Sequence, residues 1–229
     1  MSEQLLEVIV AETGDQPTAS VIWMHGLGAD GNDFVPIVQE LDLAGAPAIR
    51  FIFPHAPMQP VSINNGYVMR AWYDIKWGDL EGKSKQADAA GVRASQAAIG
   101  RLIEREIAGG IPAAKIVLAG FSQGGAVALQ TGLRYPQRLA GIMALSTYLP
   151  LAESLAAEAA QVNLETPVFM AHGIEDGVVP YEMGKRSRDL LAQSGYRIEW
   201  KEYPMQHSVC IEEIGHVAAW LKRVLGQGA

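Results

Sequence analysis

The chain has 229 residues, with 18 basic and 25 acidic side chains and a net charge of −7 at pH 7. This length suits a single α/β domain spanning residues 1–229 with a full core, and the acidic balance without a basic block excludes nucleic acid as a partner. Hydrophobic residues make up 49 %, yet no run approaches the roughly 18 uninterrupted apolar residues of a membrane span. The lone Cys210 cannot form an internal disulfide, which fits a reducing cytoplasm. Glu7 interrupts the apolar run Leu5 to Val10 and no basic region precedes it, so a cleavable signal peptide is not expected. No Gly follows Met1 and no C-terminal Cys motif is present, so neither a lipid anchor nor stable membrane insertion is expected.

Strand-like segments lie near residues 5–12, 19–25, 48–54, 115–121, 139–146, 167–172 and 196–203. Helical segments lie near 32–41, 87–108, 123–134, 151–161, 180–194 and 210–225. Alternation of this kind makes a mostly parallel central sheet with helices on both faces, and the first strand is an antiparallel edge. The stretch from Pro54 to about Gln86 has aromatic and methionine residues but little periodicity. A loop of that length in a compact domain is usually functional. Met58, Met69, Trp72 and Tyr73 either floor an apolar groove there or pack the loop down.

The early strand Ser20 to Met24 runs into His25-Gly26-Leu27-Gly28. Taken alone this is a tight strand-to-helix turn, with His25 bracing it. Further on, Lys115 to Phe121 reads as a buried strand, followed by Gly120-Phe121-Ser122-Gln123-Gly124 and an apolar helix. Gly-x-Ser-x-Gly at such a junction puts the serine on a sharp, strained turn with its hydroxyl exposed as a nucleophile, and flanking glycines give strand and helix room to meet. Acyl transfer also needs two N–H groups aimed at the developing oxyanion. One comes from the residue after the nucleophile, Gln123, and Leu27, between two glycines, is chosen for the other.

A serine nucleophile needs a base and a carboxylate that orients it, and on this strand–turn–helix frame the chain order is serine, acid, histidine. Pro167 to His172 reads as a buried strand leading into Gly173-Ile174-Glu175-Asp176-Gly177. Arg197 to Tyr203 alternates like a half-buried strand and ends in Pro204-Met205-Gln206-His207-Ser208. Asp176 is favoured over its neighbour Glu175, because a short Asp beside Gly177 suits a tight loop. Of the five histidines, His216 falls inside the last amphipathic helix, and His25, His55 and His172 read as structural. His207 follows the last strand and is taken as the base. The histidines lack metal-ligand spacing, and no metal or cofactor is expected.

Across nearly its whole length the chain resembles the phospholipase/carboxylesterase family of α/β-hydrolases, which includes small carboxylesterases and acyl-protein thioesterases. The matching pieces are His25-Gly26-Leu27-Gly28, Ala71-Trp72-Tyr73-Asp74, Gly120-Phe121-Ser122-Gln123-Gly124-Gly125, Leu145-Ser146 with Leu149-Pro150, His172-Gly173 with Asp176, and the loop at His207. The resemblance implies an α/β-hydrolase fold, catalytic Ser122, Asp176 and His207, and oxyanion donors at Leu27 and Gln123. It also implies that residues 58–72 lie near an acyl-binding groove, and it is compatible with a homodimer. Some eukaryotic thioesterases of the family carry an acylatable cysteine near the N-terminus, whereas this chain begins Met1-Ser2-Glu3-Gln4. The apolar residues Leu27, Met69, Trp72, Tyr148 and Leu149 are the expected groove. The expected substrate is a short- to medium-chain carboxylic ester, with a thioester or lysophospholipid as alternative. A non-catalytic ligand-binding protein on the same fold is the reading from another class.

Overall fold

The structure is a computed structural model that describes residues 5–79 and 88–226. The expected seven strands form β1 (Val8–Glu12), β2 (Ala19–Met24), β3 (Ile49–Pro54), β6 (Ile116–Phe121), β7 (Gly141–Leu145), β8 (Val168–Gly173) and β9 (Ile198–Tyr203). They make one sheet in the order β1-β3-β2-β6-β7-β8-β9. Only β1 runs antiparallel, paired with β3 at the edge; the other five pairings are parallel.

Side chains on a strand alternate between faces, so a strand covered on both sides must be apolar throughout. Along β2, Ile22 and Met24 enter one core while Val21 and Trp23 enter the other. The first core is closed by α2 (Ala89–Ala108), α3 (Gln123–Gly132) and α5 (Tyr181–Gln193), through residues such as Ile99, Leu129 and Leu191. The second is closed by α1 (Ile37–Glu40) and α6 (Ile211–Gly226), the latter through Val217, Trp220 and Leu221. Among the described residues no helix is long and apolar enough to cross a membrane.

Three expectations change. The helix expected at 32–41 contracts to α1, preceded by turns whose N–H groups of Val35, Ile37 and Val38 reach back three residues. Pro36 lacks an N–H and disfavours helical backbone at Val35, which limits the helix to one turn. The helix expected at 151–161 breaks into single turns around α4 (Leu155–Glu158). Leu151 is left-handed at φ 46°, and Arg134 holds its carbonyl, the Ser154 hydroxyl and the Glu158 carboxylate in place. Tertiary anchoring outweighs helix propensity there. The third change is in the stretch 54–86, part of which lies outside the described residues. It contains a hairpin, β4 (Met58–Val61) with β5 (Tyr67–Arg70), turned at Asn65-Gly66 with both residues at positive φ. Asn-Gly is a strong hairpin signal that four-residue strands and Pro60 obscure.

Candidate active site

Parallel strands deliver their following loops to one end of the sheet, where ligands of such sheets bind. β6 delivers Ser122, β8 leads into Asp176 and β9 leads into His207. Ser122 has φ 54° and ψ −121°, the strained backbone expected of the elbow. A Cβ on Gly120 would lie 2.3 Å from the Gly124 backbone, and one on Gly124 would lie 2.2 Å from Met24 O. The strand and helix therefore meet only because neither position carries a side chain. Thr147 Oγ1 donates to Ser122 O at 2.6 Å, and Ser122 N donates to Leu145 O at 2.8 Å, so β7 and the turn after it hold the elbow.

Asp176 and His207 come together. His207 Nδ1 and Asp176 Oδ2 are 2.7 Å apart, while Asp176 Oδ1 accepts from the N–H groups of Val178 at 2.8 Å and Val179 at 2.9 Å. Burial raises the Asp176 pKa, but the His207 hydrogen bond and charge together with the two backbone donors outweigh it, leaving the net shift downward. Asp176 is thus an oriented carboxylate, whereas Glu175 beside it is exposed. With Nδ1 donating to Asp176, Nε2 of His207 is left as an acceptor. The His207 ring lies 4.7 Å from the ring of Phe121, the residue before Ser122.

The loop after β2 reaches the same place. A Cβ on Gly26 would stand 3.5 Å from Ser122 Cβ. The N–H groups of Gly28 and Ala29 are taken by Arg70 O at 2.9 Å and Gly26 O at 3.3 Å, and Leu27 stands between the braced positions. Gln123 opens α3, where a first-turn N–H has no acceptor within the helix. Gln123 also does something its motif does not reveal. Its Oε1 accepts from Trp72 N at 2.8 Å and its Nε2 donates to Tyr73 O at 2.7 Å, clamping the segment after the hairpin to the elbow. His25 braces the loop through Nδ1, which donates to Gly26 O at 2.7 Å, and Nε2, which accepts from Ala56 N at 3.1 Å. Accepting at Nε2 needs neutral imidazole, and burial lowers its pKa to about 4 against the opposing pull of the Gly26 bond.

The expected groove residues separate into two groups. Leu27 is half-buried, and Met69 Sδ stands 3.5 Å from where a Cβ on Gly28 would be. Tyr148 and Leu149 line two cavities of about 210 and 240 Å³ that they share with Ala152 and Met183. Trp72 does not line the groove. Its indole is 2 % exposed and Nε1 donates to His25 O at 2.9 Å, which places it beneath the loop. Tyr73 is buried but lines the cavity of about 240 Å³ beside Tyr148, the two hydroxyls 2.9 Å apart, while Met58 faces outward on the hairpin. Of the other histidines, His55 accepts from Gly31 N, buried His172 donates to Val179 O, and His216 meets the Tyr203 hydroxyl. Among the described residues no His, Cys, Asp and Glu group could hold a metal ion.

Residues 6–225 match the family model described as Phospholipase/Carboxylesterase. The chain is 41 % identical to acyl-protein thioesterase 1 of Gibberella zeae, covering 98 % of each chain. It is 44 % identical to acyl-protein thioesterase 1 of Neurospora crassa over 89 % of this chain and 86 % of the other. Among solved structures, the acyl-protein thioesterase 2 of Zea mays superposes with a TM-score of 0.83 at 32 % identity, over 96 % of this chain and 99 % of the other. An elbow serine at the end of β6, loops from β8 and β9 converging beside it, and a family match over nearly all of its length mean that the chain belongs to the phospholipase/carboxylesterase family of α/β-hydrolases and is a hydrolase.

Proposed function

We propose that the protein is a serine carboxylesterase that hydrolyses short- to medium-chain carboxylic esters through an acyl-enzyme. The observation that carries this reading is the 2.7 Å contact of His207 Nδ1 with the buried Asp176 carboxylate, beside the strained Ser122 elbow. His207 Nε2 takes the Ser122 hydroxyl proton as Oγ attacks the ester carbonyl, and Asp176 holds the imidazole in the tautomer that can accept it. The N–H groups of Leu27 and Gln123 receive the oxyanion. Collapse of the tetrahedral intermediate breaks the bond to the alcohol, which leaves with the proton from His207. Water then attacks the acyl-enzyme by the same route, releasing the acid and restoring Ser122. Leu27, Met69, Tyr148 and Leu149 supply the apolar surface for the acyl chain, and each methylene buried there adds about 0.8 kcal/mol of binding.

A thioester substrate is the second reading, favoured by the names of the relatives; the same attack then expels a thiol in place of an alcohol. A fluorophosphonate probe is expected to label Ser122 stoichiometrically, and Ser122→Ala to lose both labelling and turnover. Initial rates on p-nitrophenyl esters of rising chain length, beside an S-acylated peptide and a lysophospholipid, separate the substrate classes. Labelling at another serine, or a Ser122→Ala protein with normal rates, overturns the proposal.

A further inference from the structure

The helix that follows the His207 loop carries, in its first turn, a buried carboxyl group that the proposed reaction does not use. Glu213, in the first turn of α6, is 0 % exposed, and neither of its side-chain oxygens makes a side-chain hydrogen bond among the described residues; the Cys210 N–H is the one donor near it. A fully enclosed glutamate is rare unless paired, and an unpaired carboxylate there is strongly disfavoured. We infer that Glu213 is a positioning residue for His207: its neutral carboxyl completes the packing under the first turn of α6, and loss of its proton loosens the loop that carries the base.

The connection runs through short chain. Five residues separate His207 from Glu213, and the loop is tied down at two ends. Toward the acid loop, Glu175 N donates to Met205 O at 3.1 Å and Ile174 N to Tyr203 O at 2.9 Å. Gly173 backs directly onto Met205 O and Gln206 O, where a Cβ would come within 2.3 and 2.5 Å. Toward α6, Ile214 N donates to Cys210 O at 3.0 Å, and Glu213 stands three residues after Cys210, the spacing of a side chain that reaches back to the start of its own helix. The groups that act on Tyr203 together with Glu213 are Glu199 on β9 and Cys210 and Glu212 on the segment that carries Glu213. Tyr203 faces His216 with its hydroxyl 2.8 Å from Nδ1, and its pKa is raised by burial and then by Glu213. Burial pushes the Glu213 pKa up to about 8, opposed only by the nearby Cys210 N–H. At neutral pH the group therefore carries its proton, and deprotonation places a buried charge at the start of α6 with only the Cys210 N–H to meet it.

The inference rests on His207 acting as the base, and two readouts keep it separate from that assignment. The first is kcat/KM on a soluble ester from pH 7 to 9.5. For the wild-type protein we expect a decline centred near pH 8, about tenfold by pH 9. Glu213→Gln, which keeps the shape of the neutral acid, is expected to retain turnover at pH 7 and to lose the decline. The second is the melting temperature over the same range, which needs no activity. With its pKa raised in the folded protein, Glu213 favours folding below pH 4.5 and loses that contribution as pH rises toward 8, so the wild-type Tm should fall with pH more steeply than that of Glu213→Gln. A wild-type profile flat to pH 9.5 overturns the inference without any variant. So does a Glu213→Gln protein with an unchanged decline, or one whose Tm flattens while its rate profile does not. If Ser122 proves not to be the nucleophile, the Tm slopes still report whether Glu213 is held neutral.

Discussion

The two loops that flank Ser122 are held by opposite kinds of chemistry. On the oxyanion side most supports are neutral hydrogen bonds: His25 to Gly26 O and Ala56 N, Trp72 Nε1 to His25 O, Gly28 N to Arg70 O, and the Gln123 amide to Trp72 and Tyr73, with the Arg70 guanidinium on Ala56 O as the charged exception. His25, which touches both Gly26 and Ala56, is kept neutral by burial. On the base side the support in contact with His207 is a charged acid, the Asp176 carboxylate, and a second acid, Glu213, is buried in the first turn of α6. The difference follows from what each side does in the proposed reaction. Donors that wait for a developing negative charge must not move or change charge during the cycle, because their value lies in being preorganised. A base that takes and returns a proton needs a partner whose charge compensates the imidazolium.

Removing the compensating charge is the most severe way to break that division. Asp176→Asn is expected to lower kcat by ~10⁴, because an amide no longer selects the Nδ1–H tautomer of His207. Glu175→Gln, at an exposed position, should stay within about tenfold. Steady-state kinetics on one ester separates the two, and the reverse pattern would make Glu175 the orienting acid.

On the other side the corresponding lesion is Gln123→Leu, which keeps the backbone N–H but removes the clamp. Trp72 N and Tyr73 O are then buried without partners, at about 1–3 kcal/mol each. Because Trp72 carries the loop through His25 O, the oxyanion donors should shift as well, lowering kcat by ~10². A loss of stability with kcat unchanged would show that the loop is positioned without Trp72.

How much of this could be read from residues alone differs between the two sides. The base side follows a simple rule, one loop after each of two strands, and alternation in 196–203 together with the apolar run 167–172 marks those strands. The seven-stranded sheet was legible for the same reason, since burial on both faces imposes continuous apolar runs. The bracing of the oxyanion side was less so. His25 reads as a structural histidine, but its partner Ala56 lies beyond β3, and the partners of Gln123 lie 50 and 51 positions away, past the hairpin. Trp72 looks like a groove residue because an apolar ring before a Tyr has no local feature that says which side it faces. Glu213 sits in a helix first turn, where an acid is ordinary, and only the tertiary packing shows that both its oxygens are enclosed.

The neutral and acidic supports should also respond to pH in opposite senses. His25 has its pKa lowered from 6.5 to about 4 in the folded protein. The unfolded chain therefore binds the extra proton first as pH falls, and stability is lost between pH 6.5 and 4, by about 3 kcal/mol, and is level below that window. Glu213 acts the other way, costing stability as pH rises from 4.5 to about 8. Urea unfolding of wild type and His25→Gln at steps between pH 4 and 7 should show the acid-side slope diminished in the variant. Equal slopes would mean that His25 is not the group that resists protonation.

The smallest effect concerns the elbow between the two loops. Thr147 Oγ1 donates to Ser122 O at 2.6 Å, and its Cγ2 packs against Gly125, where an added Cβ would be 2.8 Å away. Thr147→Val keeps the packing methyl and removes only the hydroxyl. Ser122 O retains Ala126 N at 3.1 Å as a donor, so the carbonyl is not orphaned. The expected cost is about 1 kcal/mol in unfolding free energy, the net value of one buried hydrogen bond whose acceptor keeps a second partner. Turnover should change by less than about fivefold, because the strained φ of Ser122 is imposed mainly by the backbone meeting of β6 and α3 at Gly120 and Gly124. A loss beyond about a hundredfold with normal stability would show instead that the hydroxyl aims the nucleophile. The serine would then be set by a third support from β7, and the division into a neutral side and an acidic side would not account for the geometry of the site.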